Sequence, residues 1–131
     1  MNKNVLYWIE LSEYDLETAA SMLESKRYLY VGFMCHQSIE KVLKALFIFR
    51  LGKNPPYTHN LFRLADSTGL YELFTEEQKE HIDVLEPLYI ESRYPTYKEE
   101  LFKQLSNEKC IEIIKQTKSL QLWIKMKLLK N

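Results

Sequence analysis

The sequence predicts an all-α protein, an antiparallel four-helix up-and-down bundle with one additional short helix. Three observations predict it. Only 3 Gly and 4 Pro occur among 131 residues, too few for turn-dense β architectures. Apolar residues recur at helical rather than alternating spacing through most of the chain. Turn-forming clusters fall far enough apart to leave long regular segments between them. With 46% hydrophobic residues, residues 1–131 hold the material of one domain, and the core needs neither disulfides nor a structural metal.

Between Val5 and Ser25, Trp8, Leu11, Leu16, Ala19, Ala20 and Leu23 recur among Glu10, Glu13, Asp15 and Glu17, giving an amphipathic first helix. Its acidic residues gather in the first half, toward the positive end of the helix dipole. After Lys26-Arg27, the stretch from Tyr28 to Leu51 is strongly apolar, has no Pro and holds a single Gly, Gly32; it is the central helix. Gly52 follows where a left-handed cap carries little strain, and Asn54-Pro55-Pro56 bars continuation. Thr58 or Asn60 caps a short helix carrying Leu61, Phe62, Leu64 and Ala65, which Ser67-Thr68-Gly69 ends. Thr75 to Gln78 has capping-box spacing and opens a helix through Ile82, Leu85 and Leu88 to about Ile90, with Pro87 as a kink point. Arg93 to Tyr97 reads as an ordered loop, and Ser106 caps a last helix running to about Leu129.

The 18 Lys and Arg balance 18 Asp and Glu, so no net field draws nucleic acid or an acidic membrane to the molecule as a whole. Locally the charge divides: Glu72 to Glu100 holds nine acidic and three basic residues, and Ser106 to Asn131 six Lys and two Glu. The basic end reads as a solvated helix face before it reads as a polyanion surface, which makes RNA the less favoured partner. Cys35 and Cys110 lie in helical stretches without metal-ligand spacing and read as reduced core residues, with no metal or cofactor implied. No hydrophobic run exceeds five residues, which fits neither a signal peptide nor a membrane span and points to a cytoplasmic address.

The central helix carries an anomaly. With successive residues at 100°, His36, Glu40, Lys44, Gln37 and Lys41 fall within an arc of about 140°. Val31, Met34, Ser38, Ile39, Val42, Leu43, Ala45, Leu46 and Phe49 fill the remainder. Phe33, Phe47 and Ile48 interrupt this polar stripe at its ends, which places it in a crevice or at a subunit contact. Two readings stay open. Glu40 four residues before Lys44 is the favourable ion-pair orientation, worth about 0.3 to 0.5 kcal/mol and requiring no ligand. Alternatively, two lysines and a histidine on a rigid helix suit a phosphate and a base. His59, beside a helix cap, and Arg93, beside Tyr94 and Pro95, are also held by constrained backbone; as structural anchors His59 would bond a carbonyl and Arg93 a carboxylate. Tyr28, Tyr30, Tyr57, Tyr89, Tyr94 and Tyr97 cluster near loops and helix ends, as at an interface. The surplus of Tyr30, Phe33, Phe47 and Phe49 on the central helix predicts a homodimer.

Taken in order, several strings resemble a known family. Trp8, Asp15-Leu16, the run from Cys35 through His36-Gln37-Ser38-Ile39-Glu40-Lys41-Val42-Leu43-Lys44 to Ala45, Thr58-His59-Asn60-Leu61 and Arg93-Tyr94-Pro95 together resemble the HEPN domain, from about Trp8 to Trp123. The resemblance implies four main helices with a short fifth, a homodimer, and kinship with the substrate-binding helical domain of nucleotidyltransferases. It also implies a separately encoded minimal nucleotidyltransferase as partner, in pairs that act as toxin and antitoxin or as split enzymes. Many members are metal-independent ribonucleases with an Arg, four to six intervening residues and a His, a pairing suited to moving a hydroxyl proton while stabilising phosphorane-like charge. That motif is absent. Arg27 and Arg50 each stand eight intervening residues before a histidine, Arg63 seventeen, and the positions Arg93 would need hold Lys98, Glu99 and Glu100.

The resemblance therefore implies a non-catalytic, nucleotide- or substrate-binding dimer. In it Lys41, Lys44 and Arg93 would meet phosphate, His36, Gln37 and His59 would orient the ligand beside Glu40, and Tyr94 or Tyr97 would stack on a base. Its rivals are a ribonuclease built on another Arg/His pair and a purely structural helical module whose polar stripe fixes an interface.

Overall fold

A computed structural model of the chain describes residues 2–90 and 94–129, all helix, turn or loop. Among the described residues six α-helices succeed one another: α1 Lys3–Glu24, α2 Tyr28–Leu51, α3 Leu61–Ser67, α4 Glu76–Leu85, α5 Pro95–Gln104 and α6 Asn107–Leu129. Single 3₁₀ turns lie at Tyr71–Leu73 and Glu86–Leu88. No strand occurs among the described residues.

Because α2 is apolar on nearly every side, the other helices assemble around it. From Val31 to Ile48 every residue except Phe33, Met34 and Lys41 is buried. α1 packs against it as an antiparallel hairpin partner. α6 runs beside it in the same direction, since Cys110 near the start of α6 lies against Tyr28 and Gln121 further along lies against Ser38. A polar seam joins the three helices inside the core. Ser12 Oγ donates to the Ser38 carbonyl at 2.7 Å, Ser38 Oγ donates to the Ser12 carbonyl at 2.9 Å, and Gln121 Nε2 donates to both hydroxyls. Both of these buried hydroxyls are thereby satisfied, which is the condition for such groups to sit in a core without penalty. Both cysteines are free and buried, in keeping with their apolar neighbourhoods in the sequence.

The predicted stop and start signals act as their chemistry requires. Gly52 adopts φ +66° at the end of α2, Asn60 accepts from Arg63 N to cap α3, Thr75 and Gln78 close a reciprocal capping box, and Ser106 accepts from Lys109 N at the start of α6.

Three expectations require correction. Arg93 to Tyr97 does not read through as loop: Tyr94 is the N-cap and Pro95 the first residue of α5, a position where the missing proline N–H has no partner to lose. Arg93 itself lies outside the described residues. The fourth helix stops at Leu85 rather than running to Ile90, because Pro87 forces the chain into the tighter Glu86–Leu88 turn. Finally, the first turn of α1 holds no acidic residue, so its acids lie beyond the reach of the dipole.

One close approach fixes the chain just after α4. A Cβ on Gly32 would stand 3.0 Å from Leu88 Cδ1, so the bare backbone of α2 lets the 3₁₀ turn press directly against it. Tyr89, next in sequence, is thereby delivered onto α2, with its ring 5.6 Å from Phe33 and 5.3 Å from His36.

Candidate functional site

The polar stripe is not solvated. Residues His36, Glu40 and Lys44 are 0%, 3% and 6% exposed, and Gln37 is buried beside them. The charged members pair with one another, and Glu40 is the hub. Its Oε2 accepts from Lys44 Nζ at 3.0 Å, and its Oε1 lies 2.9 Å from His59 Nδ1 and 3.8 Å from His36 Nδ1. Lys44 is in turn covered by Trp8 of α1, its ammonium 5.4 Å from the ring centroid. Gln37 Nε2 stands 3.5 Å from His36 Nδ1. Lys41, one turn away, pairs with Asp15 of α1. Burial pushes the Asp15 carboxyl above its usual range, and the Lys41 ammonium pulls it back down.

His59 reaches this hub from the loop after Gly52 and Pro55-Pro56, immediately before the Asn60 cap. It bonds the Glu40 carboxylate rather than the backbone carbonyl expected of a structural anchor. Its ring stacks on Tyr89, with centroids 4.1 Å apart and planes at 17°, and Tyr57 approaches it edge-on at 6.0 Å. With the Glu40 carboxylate at Nδ1, that nitrogen donates and Nε2 lies on the far edge of the ring. That ring is 38% exposed.

Glu86 closes the other side. Its Oε1 accepts from Leu61 N at 2.8 Å, so it caps α3 from the 3₁₀ turn, and it stands 3.9 Å from His36 Nε2. Burial pushes the Glu86 carboxyl upward, opposed by the N–H groups of Leu61 and Phe62, while Asp83 and Glu40 add further upward pressure by repulsion. Together His59, Asn60, Glu86, Pro87 and Tyr89 line an open cleft of about 440 Å³.

Of the residues singled out from the sequence, the fold brings His36, Gln37, Glu40, Lys44 and His59 together and leaves Lys41 one turn aside on Asp15. Tyr94 is 82% exposed at the start of α5, and Tyr97 donates its hydroxyl to the Pro87 carbonyl at 3.1 Å, steadying the turn that carries Tyr89. Sequence reasoning missed Glu86 and Tyr89 as members of the cluster, and it used Trp8 only as an apolar residue of the first helix and as a family marker. A lone Glu beside a proline and a Tyr after it carry no periodic signal, so nothing local could have pointed to them.

This architecture, a helical bundle with histidines from its central helix and from a neighbouring loop meeting on one enclosed carboxylate, defines a small all-α domain with a polar cluster at its heart. The chain belongs to the HEPN domain family, whose model matches residues 5–127. Among solved structures it is similar to TT1696 from Thermus thermophilus, with TM-score 0.79, 19% identity and coverage of 96% of this chain and 99% of that one. It is also similar to ST0689, described as an archaeal HEPN homologue, with TM-score 0.73, 23% identity and coverage of 97% and 99%. At those identities the likeness speaks to the fold. The comparison with curated proteins finds no match. No helix among the described residues is long and apolar enough to cross a membrane.

Proposed function

We propose that the chain is a non-catalytic, homodimeric HEPN protein that holds a substrate for a minimal nucleotidyltransferase, in a two-gene module of toxin–antitoxin type. The observation that carries this reading is the cleft that His59, fixed by Glu40 and stacked on Tyr89, lines together with Glu86. A rigid, partly apolar recess with a few convergent polar groups is the usual form of a small-molecule site. Between nucleotide and substrate, the charges favour the substrate. Lys44 is engaged by Glu40 beneath Trp8 and Lys41 by Asp15, so neither is presented to a phosphate without breaking an existing pair. The nucleotide is left to the transferase.

The ribonuclease reading is weaker for a chemical reason. Cleavage needs a proton carrier and a cation together on one phosphate. His59 is bonded here to the Glu40 carboxylate and shares its cleft with Glu86, and the family's Arg and His spacing is missing. A second reading, the purely structural module, is favoured by the enclosure of Lys44 and predicts an empty cleft under all conditions.

Purification of the tagged chain from its native cell tests the proposal, together with light scattering and incubation with tRNA in chelator. The expected result is a dimer at micromolar concentration, a copurifying transferase subunit and intact RNA at protein excess. A monomer that brings down no transferase refutes it, and chelator-resistant RNA cleavage replaces it with the nuclease.

A further inference from the structure

We propose that the outer face of α1 and α6 is the interface with a second copy of this chain, α1 of each copy lying antiparallel along α6 of the other with glutamates set on lysines. This deepens the homodimer half of the reading above and rests on it.

The inference comes from two matched stripes. On α1, Leu6, Glu10, Glu13, Glu17, Ala20 and Glu24 follow one another at alternating steps of four and three residues, which aligns them along one side of the helix. On α6, Ile111, Lys115, Lys118, Leu122 and Lys125 do the same. One stripe is acidic, the other basic, and none of these residues is buried. Lys125 Nζ meets Glu13 Oε2 at 2.7 Å, so within one chain the stripes border each other, and among the described residues this is the one ion pair between them. Gln121 against Ser12 and Lys125 against Glu13 also fix the heights. Because α1 and α6 run in opposite directions, Glu17 stands level with Lys118 and Glu24 with Lys115.

A twofold axis parallel to the helices builds a four-helix layer from this pair. It sets α1 of the second copy over α6 of the first at unchanged heights, so Glu17 and Glu24 of each copy meet Lys118 and Lys115 of the other, twice over by symmetry. Packing α1 on α1, or α6 on α6, brings like charges together instead, and the pattern therefore selects the crossed arrangement. Apolar side chains supply the contact between the charges. Leu6, Ile111, Leu122 and Met126 are 43% to 55% exposed. Tyr7, Glu10, Leu11 and Tyr14 border a recess of about 260 Å³ at the height of Leu122 and Met126, able to receive one of them from the second copy. The 22 residues of α1 and 23 of α6 present a face of roughly 33 by 20 Å, which buries about 1,300 Å² over two copies and falls within the range of specific, stable interfaces.

The test is sedimentation velocity of the full chain at micromolar concentration with two charge-reversed variants, Glu17→Lys with Glu24→Lys and Lys115→Glu with Lys118→Glu. Expected is a dimeric wild type, and dissociation at least tenfold more ready in each variant alone, since each meets like charge in a copy of itself. An equimolar mixture of the two variants should dimerise again, because each then meets the opposite charge; mixing cannot repair a folding defect. Variants that both stay dimeric, or a mixture no more dimeric than its components, overturn the α1/α6 face and leave the homodimer standing. A monomeric wild type overturns both. Loss of the helical circular dichroism signal in either variant assigns the stripes to the folding of a single chain and overturns the inference as well.

Discussion

Replacing Glu40 by Ala tests whether the stripe is an enclosed charge cluster or an ordinary helix pair. An exposed Glu and Lys four residues apart contribute about 0.3 to 0.5 kcal/mol. In this protein the same spacing is buried: Lys44 is 6% exposed and roofed by Trp8, and its carboxylate partner is also shared with His59. Deleting the carboxylate leaves an ammonium in a dry site and strips Nδ1 of its acceptor. Breaking one side of a buried pair costs about 3 to 5 kcal/mol. For a domain of this size that corresponds to a fall in Tm of roughly 10 to 20 °C. Thermal and urea unfolding followed by circular dichroism measure it. Glu40→Gln combined with Lys44→Met should recover most of the loss, because no unpaired charge remains and the Gln oxygen still accepts from His59. A loss below about 1 kcal/mol for Glu40→Ala would mean that water reaches Lys44 and that the pair is worth no more than a surface one, refuting the enclosure.

Further outcomes rest on local chemistry. Asn60→Ala and Thr75→Ala should each lower stability by about 1 kcal/mol, read from urea midpoints, since each removes an acceptor for a helix-start N–H. Gly52→Ala should cost about 1 kcal/mol through strain at φ +66° alone, because an added Cβ there meets nothing within 4 Å. Burial pushes His81 down to about 4 from 6.5, so the unfolded chain binds the extra proton between those values and stability declines as pH falls through that window. The loss approaches about 3 kcal/mol below pH 4 and should be absent in His81→Gln, so the difference between wild type and variant isolates it from the opposing rise of Asp15 and Glu86. Burial also pushes the Cys35 and Cys110 thiols up to about 12 and 11, so a thiol reagent at neutral pH should label them only as fast as the bundle opens.

What the sequence could convey depended on how local each cause was. Caps and stops depend on a few neighbouring residues, and Gly52, Asn60, Thr75 and Ser106 were all readable for that reason. α5 was not. Lys98-Glu99-Glu100 breaks its apolar pattern, leaving Tyr97 and Leu101 as inward-facing anchors, and Pro95 reads equally as a stop or as a first helical residue. The stripe was legible because five polar side chains on one arc of an apolar helix have few explanations. Its covering was not, since Trp8, Glu86 and Tyr89 arrive from other segments and meet α2 only in the folded chain. Spacing alone also left Lys41 and Lys44 free to serve a phosphate or a carboxylate; the depth at which Lys44 lies, and the presence of Asp15 beside Lys41, were tertiary facts.

The seam of Ser12, Ser38 and Gln121 gives the cluster its geometry. Aliphatic side chains on α1 and α2 would pack acceptably at more than one offset, because dispersion and burial are nearly indifferent to which Leu meets which Ile. Hydroxyls exchanging bonds with each other's carbonyls are not indifferent: sliding α1 by one turn would leave two hydroxyls and the Gln121 amide without partners in the core. Trp8 lies one helical turn before Ser12, and Lys44 lies beyond Ser38 on the antiparallel helix, so the register that satisfies the seam is also the register that sets Trp8 over Lys44. Lys44 held there orients Glu40, and Glu40 holds the His59 ring at the cleft. Removing the seam with Ser12→Ala and Ser38→Ala together should therefore disturb His59 ring signals from across α2. If those signals stay unchanged while stability falls, the register is held by apolar packing and this chain of dependence is broken.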